Sequence, residues 1–158
     1  LHLSIRRQRQ MCIRDRMDDK TSVDGSCHCE AIKFKARVDV SRAVLCHCRD
    51  CQIMSGGPYR VILQTSEQDF QLVQGKPKQY IKLADSGNRR ELAFCEVCST
   101  QLYATSVVED VPEGERLLGL RVGVLSQAAE LRPRAQVWCK SRVSWCSDLS
   151  ALHELDRQ

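Results

Sequence analysis

Seven cysteines of this 158-residue chain fall into three tight groups whose spacing suits metal binding. The groups are Cys27 and Cys29; Cys46, Cys48 and Cys51; and Cys95 and Cys98. A structural zinc ion takes four protein ligands, whereas a catalytic zinc ion keeps three and an open coordination position. Seven thiols therefore predict one closed site with four cysteines and one open site with three, and any chemistry would belong to the open site.

The closed site would combine the first and third groups. Cys95 and Cys98 have the Cys-x-x-Cys spacing that lets two thiols face one metal ion, although a redox pair has the same spacing. Cys27 and Cys29 can supply the other two ligands from a distant segment, which would tie the start of the domain to its middle. Structural zinc contributes roughly 10–16 kcal/mol of apparent binding free energy in small peptides, so this tie is predicted to stabilise the fold.

The middle group offers three thiols within six residues and no obvious fourth ligand. His28 and His47 lie between cysteines, and each either faces the metal or points away from it. Zinc lowers the pKa of a bound thiol, and the thiolate is the reactive nucleophile. Three thiolates leave the site negatively charged, which favours making or breaking a carbon–sulfur bond; a second structural site and an empty cluster are the alternatives. Cys139 and Cys146, outside the groups, are expected to be ordinary small apolar residues.

The hydrophobic pattern predicts an all-β domain of many short strands separated by turns. The predicted strands span residues 31–38, 59–65, 70–73, 79–83, 91–94, 102–108, 117–124 and 135–140. Helical signal is confined to 49–54 and to 147–155, where Ser147 or Asp148 could cap a helix. The chain has no run of eighteen apolar residues and no pattern of a secretory leader, so a cytoplasmic protein without a membrane span is expected.

The first sixteen residues differ in character from the rest. Residues 6–16 (RRQRQMCIRDR) resemble a translated sequencing adapter, so 1–16 are expected to be a non-native extension before a natural start at Met17; a genuine basic arm is the alternative. They hold five of the 24 basic and one of the 20 acidic residues, which leaves 19 of each in 17–158. The single domain expected over 17–158 thus has no net charge, which disfavours nucleic-acid binding. Cys12 lies in the same expected extension, so it is not counted among the candidate metal ligands.

Four segments carry the pattern of a known family. They are 25–34 (GSCHCEAIKF), 46–52 (CHCRDCQ), 94–102 (FCEVCSTQL) and 133–145 (PRAQVWCKSRVSW). Together they resemble the glutathione-dependent formaldehyde-activating enzyme family, also described as the centromere-protein-V-like zinc domain, over about residues 24–148.

The resemblance implies a β-tent fold of small antiparallel sheets. It implies structural zinc on Cys27, Cys29, Cys95 and Cys98, and a second, catalytic-type zinc on Cys46, Cys48 and Cys51. The activity named for the family joins formaldehyde to glutathione, which is formally a carbon–sulfur lyase reaction run in reverse. The substrates of most members are not implied by the shared scaffold.

One departure from the family pattern is Ser99, which stands where glycine usually follows the last cysteine. Glycine suits a positive φ in a zinc knuckle. Serine would adopt that conformation at a cost of about 1 kcal/mol. The departure bears on the geometry of the turn and leaves the ligand prediction unchanged.

Further side chains have both a functional and a structural interpretation. Asp50 lies between two cysteines and is either an acid/base or a solvated carboxylate. Residues 56–58 (GGP) form either a loop that admits a ligand or a turn. Trp145 could contact a substrate, with a core or pocket-wall position as the alternative for it and for Trp138. The arginines that could bind glutathione carboxylates, with surface charge as the default, are Arg49, Arg60, Arg89 and Arg90.

These observations predict a zinc-dependent carbon–sulfur lyase-like enzyme of the S-hydroxymethylglutathione synthase type. The expected cofactors are one structural zinc and a second, catalytic zinc. The expected partner is a small thiol such as glutathione, with no nucleic acid and no membrane. The alternative is a non-catalytic zinc module that binds a protein partner.

Overall fold

The computed structural model describes residues 20–84 and 86–157. The strands, numbered β1 to β10 in chain order, are Thr21–Ser26, Lys33–Val38, Ala43–Cys46, Arg60–Ser66, Phe70–Gln74, Lys78–Leu83, Arg89–Phe94, Gln101–Ser106, Leu117–Arg121 and Ala135–Val137. Helix α1 spans Arg49–Ser55. The adapter-like segment and the expected start at Met17 lie outside the described residues, so they and the domain boundary stay predictions.

The strands form two sheets of unequal size. The smaller has the order β1-β2-β5, and the larger has the order β10-β3-β4-β9-β8-β7-β6. Neighbouring strands are antiparallel, except that β10 runs parallel to β3. The predicted all-β class with mainly antiparallel sheets is therefore confirmed. Among the described residues, no helix is long and apolar enough to cross a membrane.

Eight strands and helix α1 lie where the pattern predicts them, whereas β1 and β3 were not predicted. The predicted helix at 147–155 is wrong. A single 3-10 turn spans Ser144–Ser147, and turns and bends follow it. Asp148 Oδ1 accepts a hydrogen bond from the Ser150 backbone N at 2.9 Å, which closes a local turn and does not cap a helix.

The core lies between the two sheets because alternate residues of their strands point inward. Phe34 of β2, Leu63 of β4 and Leu120 of β9 are buried there. Phe70 joins the sheets, because its ring centroid lies 5.1 Å from that of Phe34 and 5.1 Å from that of Tyr103. The inner face of the larger sheet is thus occupied by core packing, and its outer face is available for a site.

A charged network fastens the turn after β4 to the loop before β9. Glu67 accepts hydrogen bonds from the Gly114 backbone N at 2.7 Å and from Arg116 Nε at 3.0 Å. Arg116 also lies 3.7 Å from Glu91. The hydrogen bonds from Arg116 hold the pKa of Glu67 below its ordinary value, whereas burial raises the pKa of Glu91.

We expect Glu67→Gln to lower the free energy of unfolding by about 2 kcal/mol at pH 7, because it removes charge-assisted hydrogen bonds. The lowered pKa means that Glu67 stabilises the fold above its unfolded pKa of about 4.3, and that this contribution is lost as the pH falls further. Urea unfolding at pH 7 and pH 3.5 should show a smaller effect of the substitution at the lower pH. Glu91, whose pKa is raised, changes the pH dependence of stability in the opposite direction. Because wild type and Glu67→Gln both keep Glu91, the difference between them reports on Glu67.

The matched control is Glu130→Gln, since Glu130 is an exposed glutamate away from this network. It should change the free energy of unfolding little at either pH. An equal loss for Glu67→Gln at both pH values would contradict the electrostatic role.

Candidate functional site

Four thiols meet where the loop after β1 approaches the turn after β7. The sulfurs of Cys27 and Cys29 lie 3.6 Å apart, and those of Cys29 and Cys95 lie 3.8 Å apart. All four sulfurs, including that of Cys98, lie within 4.8 Å of one another. A tetrahedral zinc with Zn–S bonds of about 2.3 Å would separate its sulfurs by about 3.8 Å. Donor type and spacing both suit one ion, and the ligand role of these residues stays a prediction.

The backbone around these thiols is folded into tight turns. The Ile32 backbone N donates to Cys27 Sγ at 3.3 Å. On the other side, Ser99 N donates to the Cys95 carbonyl at 2.8 Å, and Cys95 N donates to the Thr100 carbonyl at 2.9 Å. The turn places Ser99 at φ 59°, which is the positive φ that the family's glycine suggested.

We expect Ser99→Gly to raise the free energy of unfolding by about 0.5 kcal/mol. A left-handed conformation costs an L-residue about 1–2 kcal/mol, and the added backbone entropy of glycine offsets roughly 0.5–1 kcal/mol of that gain. Chemical denaturation of the zinc-loaded protein would measure the change. Ser22→Gly, on an exposed position of strand β1, should instead destabilise. A loss of stability in both variants would contradict the expected relief of strain at Ser99.

The second group of thiols forms at the start of helix α1. The sulfurs of Cys46, Cys48 and Cys51 lie within 4.8 Å of one another. Strand β3 ends at Cys46, and Cys48 is the N-cap of α1, with its Sγ accepting from the Cys51 backbone N at 3.4 Å. No described histidine, aspartate or glutamate joins this group. The three-thiol arrangement predicted from the spacing is therefore present, and its role in binding zinc stays a prediction.

Thiols this close perturb one another's ionisation. The hydrogen bond from Cys51 lowers the pKa of Cys46 to about 5, and the same contact, with burial, raises the pKa of Cys51. In the first group, the hydrogen bond from the Thr100 hydroxyl lowers the pKa of Cys98 to about 5. Neighbouring thiolates repel one another unless a cation lies between them, so full ionisation of either group calls for a metal ion.

The two histidines considered as alternative ligands have other environments. His47 is buried, and its Nε2 lies 2.9 Å from Oε1 of Gln136. Its ring packs edge-on against Tyr59, with centroids 5.9 Å apart. His28 is exposed and is not part of either thiol group. The histidines therefore leave the fourth position of the second group open.

A segment from late in the chain covers the second group. Strand β10 lies beside β3, and the His47 backbone N donates to the Val137 carbonyl at 3.0 Å. Gln52 on α1 donates from Nε2 to the His47 carbonyl at 2.8 Å and to the Ser141 carbonyl at 2.7 Å. Because Gln52 is itself buried, these bonds fix the late segment against the helix.

A cavity of about 550 Å³ opens beside this group, with Cys48 and Cys51 in its wall. Its floor is the outer face of the larger sheet, where alternate residues of β4, β9, β8 and β7 line it. Gly119 lies in this floor, and a Cβ there would come within 3.0 Å of the Ile62 side chain. The cavity is large enough for a small organic ligand.

Three arginines line the floor of this cavity. Arg60 is 7% exposed and Arg121 is 8% exposed, while Arg90 donates from Nη1 to Ser106 Oγ at 3.1 Å. Burial, and then the charge of Arg60, lower the pKa of Arg121 to about 9. Arg60 and Arg90 were among the sequence candidates, whereas Arg121 was missed. The sequence does indicate it, because Arg121 is a charged residue at the end of an otherwise apolar strand and lies on the same face of that strand as Gly119.

The remaining charged candidates are paired at or near the surface. Asp50 forms an ion pair with Lys82, and both line the cavity. Arg89 pairs with Asp110 at 2.6 Å on an exposed surface, and Arg49 donates within its own helix. Arg49 and Arg89 therefore correspond to the surface-charge interpretation, and Asp50 is an ion-paired carboxylate at the site.

The aromatic and glycine candidates separate in the same way. Trp138 lines the cavity and has φ 59°, whereas Trp145 is exposed and does not line it. Gly56 has φ 66° and ends α1, which supports the turn interpretation of that loop. Cys139 and Cys146 lie outside both groups, and the described cysteines form no disulfide with one another.

Fold and site together define an all-β protein with two clusters of cysteines and a cavity beside the smaller cluster. The chain belongs to the glutathione-dependent formaldehyde-activating enzyme family, whose model matches residues 22–141. The resemblance predicted from the four sequence segments is thus confirmed.

Two known proteins are similar to this chain. An uncharacterized lyase of Schizosaccharomyces pombe is 29% identical over 80 residues, which cover 51% of this chain and 55% of the relative. The chain thus spans about half the length of this curated relative. A crystal structure of a Rhodobacter sphaeroides protein, from a structural genomics programme, matches with a TM-score of 0.53 at 17% identity. The match covers 72% of this chain and 98% of that one, and it is a likeness of fold.

Proposed function

We propose that this chain is a zinc-dependent carbon–sulfur lyase-like enzyme that acts on glutathione or a related small thiol adduct. The observation that carries the proposal is the three-thiol group, two of whose members, Cys48 and Cys51, lie in the wall of a cavity of about 550 Å³. Membership of the family supports the same reaction class, and so does the lyase name of the fission-yeast relative.

In this proposal both thiol groups hold zinc. Cys27, Cys29, Cys95 and Cys98 would bind the structural ion, and Cys46, Cys48 and Cys51 would bind the second ion. Soft thiolate donors select zinc over hard cations such as magnesium. When bound at the second group, zinc would lower the pKa of a substrate thiol and so favour its thiolate.

The reaction needs no oxidant or reductant. In the direction of synthesis the thiol loses its proton, the sulfur electron pair forms a bond to the formaldehyde carbon, and the carbonyl π pair moves to oxygen. That oxygen takes up a proton, which gives the S-hydroxymethyl adduct, and the lyase direction reverses these changes. The Asp50–Lys82 pair offers groups that can transfer the protons.

Formaldehyde consumption by the zinc-loaded protein, measured with and without glutathione, tests the proposal. We expect the protein to accelerate consumption beyond the spontaneous rate when glutathione is present. Cys139→Ser is a control at an exposed thiol outside the cavity, and it should keep the full rate. A zinc-loaded protein that leaves the spontaneous rate unchanged would instead favour the non-catalytic module that binds a protein partner.

A further inference from the structure

The cavity floor carries more positive charge than its described neighbours balance. Its cationic side chains are Arg60, Lys82, Arg90 and Arg121, and its described carboxylates are Asp50 and Glu115. A zinc ion held by the three thiolates would add about one negative charge, which still leaves the cavity with a net positive charge. Asp50 pairs with Lys82. Among the ion pairs formed by described residues, none includes any of the three arginines.

Arg121 has the least favourable environment of these charged side chains. It is 8% exposed, and its buried Nε has no hydrogen-bond partner among the described residues. A buried guanidinium N–H without a partner is costly, because its desolvation is not offset. Unpaired buried polar groups of this kind are rare in native folds, so a ligand group is expected to complete the interaction.

The pairing of the strands sets the order of the three arginines. Arg60 lies opposite Cys46, directly beside the three-thiol group. Arg121 of β9, the next strand in the sheet, lies opposite Ile62 of β4. Arg90 of β7, two strands beyond β9, lies opposite Ser106 of β8. At about 4.8 Å between strands, β4 and β7 are roughly 14 Å apart, so the charges extend from the thiol group across the cavity.

We propose that Arg60, Arg90 and Arg121 form an anion-binding subsite that takes the carboxylates of the thiol substrate. The chain then selects extended anionic thiols over neutral ones, because the sulfur lies at the thiol group while the carboxylates lie on the arginines. Guanidinium groups suit this task because their fork of donors matches a carboxylate. The inference rests on the proposed function, since both use the same cavity.

Isothermal titration calorimetry with S-methylglutathione tests the subsite on the full, zinc-loaded chain. This probe keeps both carboxylates of glutathione and has no free thiol, so its binding does not depend on thiolate chemistry. We expect Arg121→Gln and Arg60→Gln each to weaken binding about 10- to 100-fold, the range for loss of a charged hydrogen bond. The dimethyl ester of the probe should bind the wild-type protein with a similar loss of affinity.

Arg37→Gln is the matched control, because Arg37 is exposed on the smaller sheet and lies outside the cavity. It should leave binding unchanged. Without ligand, Arg121→Gln should unfold at the same or a higher denaturant concentration than wild type, because it removes an unpaired buried charge. If Arg121→Gln is markedly less stable, the arginine has a structural role and the subsite is rejected. Equal affinity for the acid and the dimethyl ester would also reject it.

The outcomes separate this inference from the proposed function. A protein that binds S-methylglutathione through Arg121 without accelerating formaldehyde consumption would support the subsite and reject the lyase. A protein that converts glutathione and its diester at equal rates would support the lyase and reject the subsite.

Discussion

Cys98→Ser is expected to remove one zinc ion and to abolish cooperative folding. The four-thiol group joins the loop after β1, in the smaller sheet, to the turn after β7, in the larger sheet. Structural zinc is worth roughly 10–16 kcal/mol in small peptides, whereas whole domains are stable by about 5–15 kcal/mol. Loss of most of this binding free energy would therefore be comparable with the whole stability of the fold. Zinc content, near-ultraviolet circular dichroism and urea unfolding would measure the effect.

Cys146→Ser makes the same chemical change at a half-buried thiol outside both groups, where Cys146 Sγ donates to the Val143 carbonyl at 3.0 Å. It should keep the wild-type zinc content and a cooperative unfolding transition. A Cys98→Ser protein that unfolds cooperatively near the wild-type midpoint would show that the tie between the sheets is not needed.

Cys48→Ser should have the opposite profile, with loss of function and retention of fold. The substitution removes one of three thiols, so the second zinc ion should be lost and formaldehyde consumption should fall to the spontaneous rate. Serine is itself a preferred N-cap, so it can replace Cys48 as the acceptor for the Cys51 backbone N and keep helix α1 in place. Metal analysis, thermal unfolding and the formaldehyde assay on one preparation would separate these effects.

Cys48→Ala provides the comparison, because it removes the thiol and the cap together. It should lose the same zinc ion and, in addition, about 1 kcal/mol of stability. A Cys48→Ser protein that keeps two zinc ions and full activity would reject the catalytic role of the second group.

The three-thiol group could be predicted from the sequence because its members are close along the chain. Cys46, Cys48 and Cys51 fall within one strand end and one helical turn, so local spacing alone brings them together. The cavity could not be predicted in this way. Arg121 is buried because β9 pairs with β4, which sets it opposite Ile62, and nothing local indicates that pairing.

The errors in secondary structure have similar causes. Strand β3 is too short for alternation to be visible, and its position depends on pairing with β4 and β10. The pattern over 147–155 suits a helix, but Leu149, Leu152 and Leu155 are exposed among the described residues. Isolated helices of this length are marginal in water, so a segment without a packed apolar face does not form one.

Because β10, late in the chain, pairs with β3, the two thiol groups are completed at different times during synthesis of the chain. The last cysteine of the first group is Cys98, so that group can assemble while later residues are still being added. Trp138 lines the cavity beside the second group, and the Ser141 carbonyl accepts a hydrogen bond from Gln52 on helix α1; both residues emerge afterwards. A nascent chain would thus be able to bring the four thiols of the first group together before the late segment encloses the second group. Until that step the three thiols of the second group are exposed to oxidation. The order of translation therefore sets the interval in which these thiols are most readily oxidised.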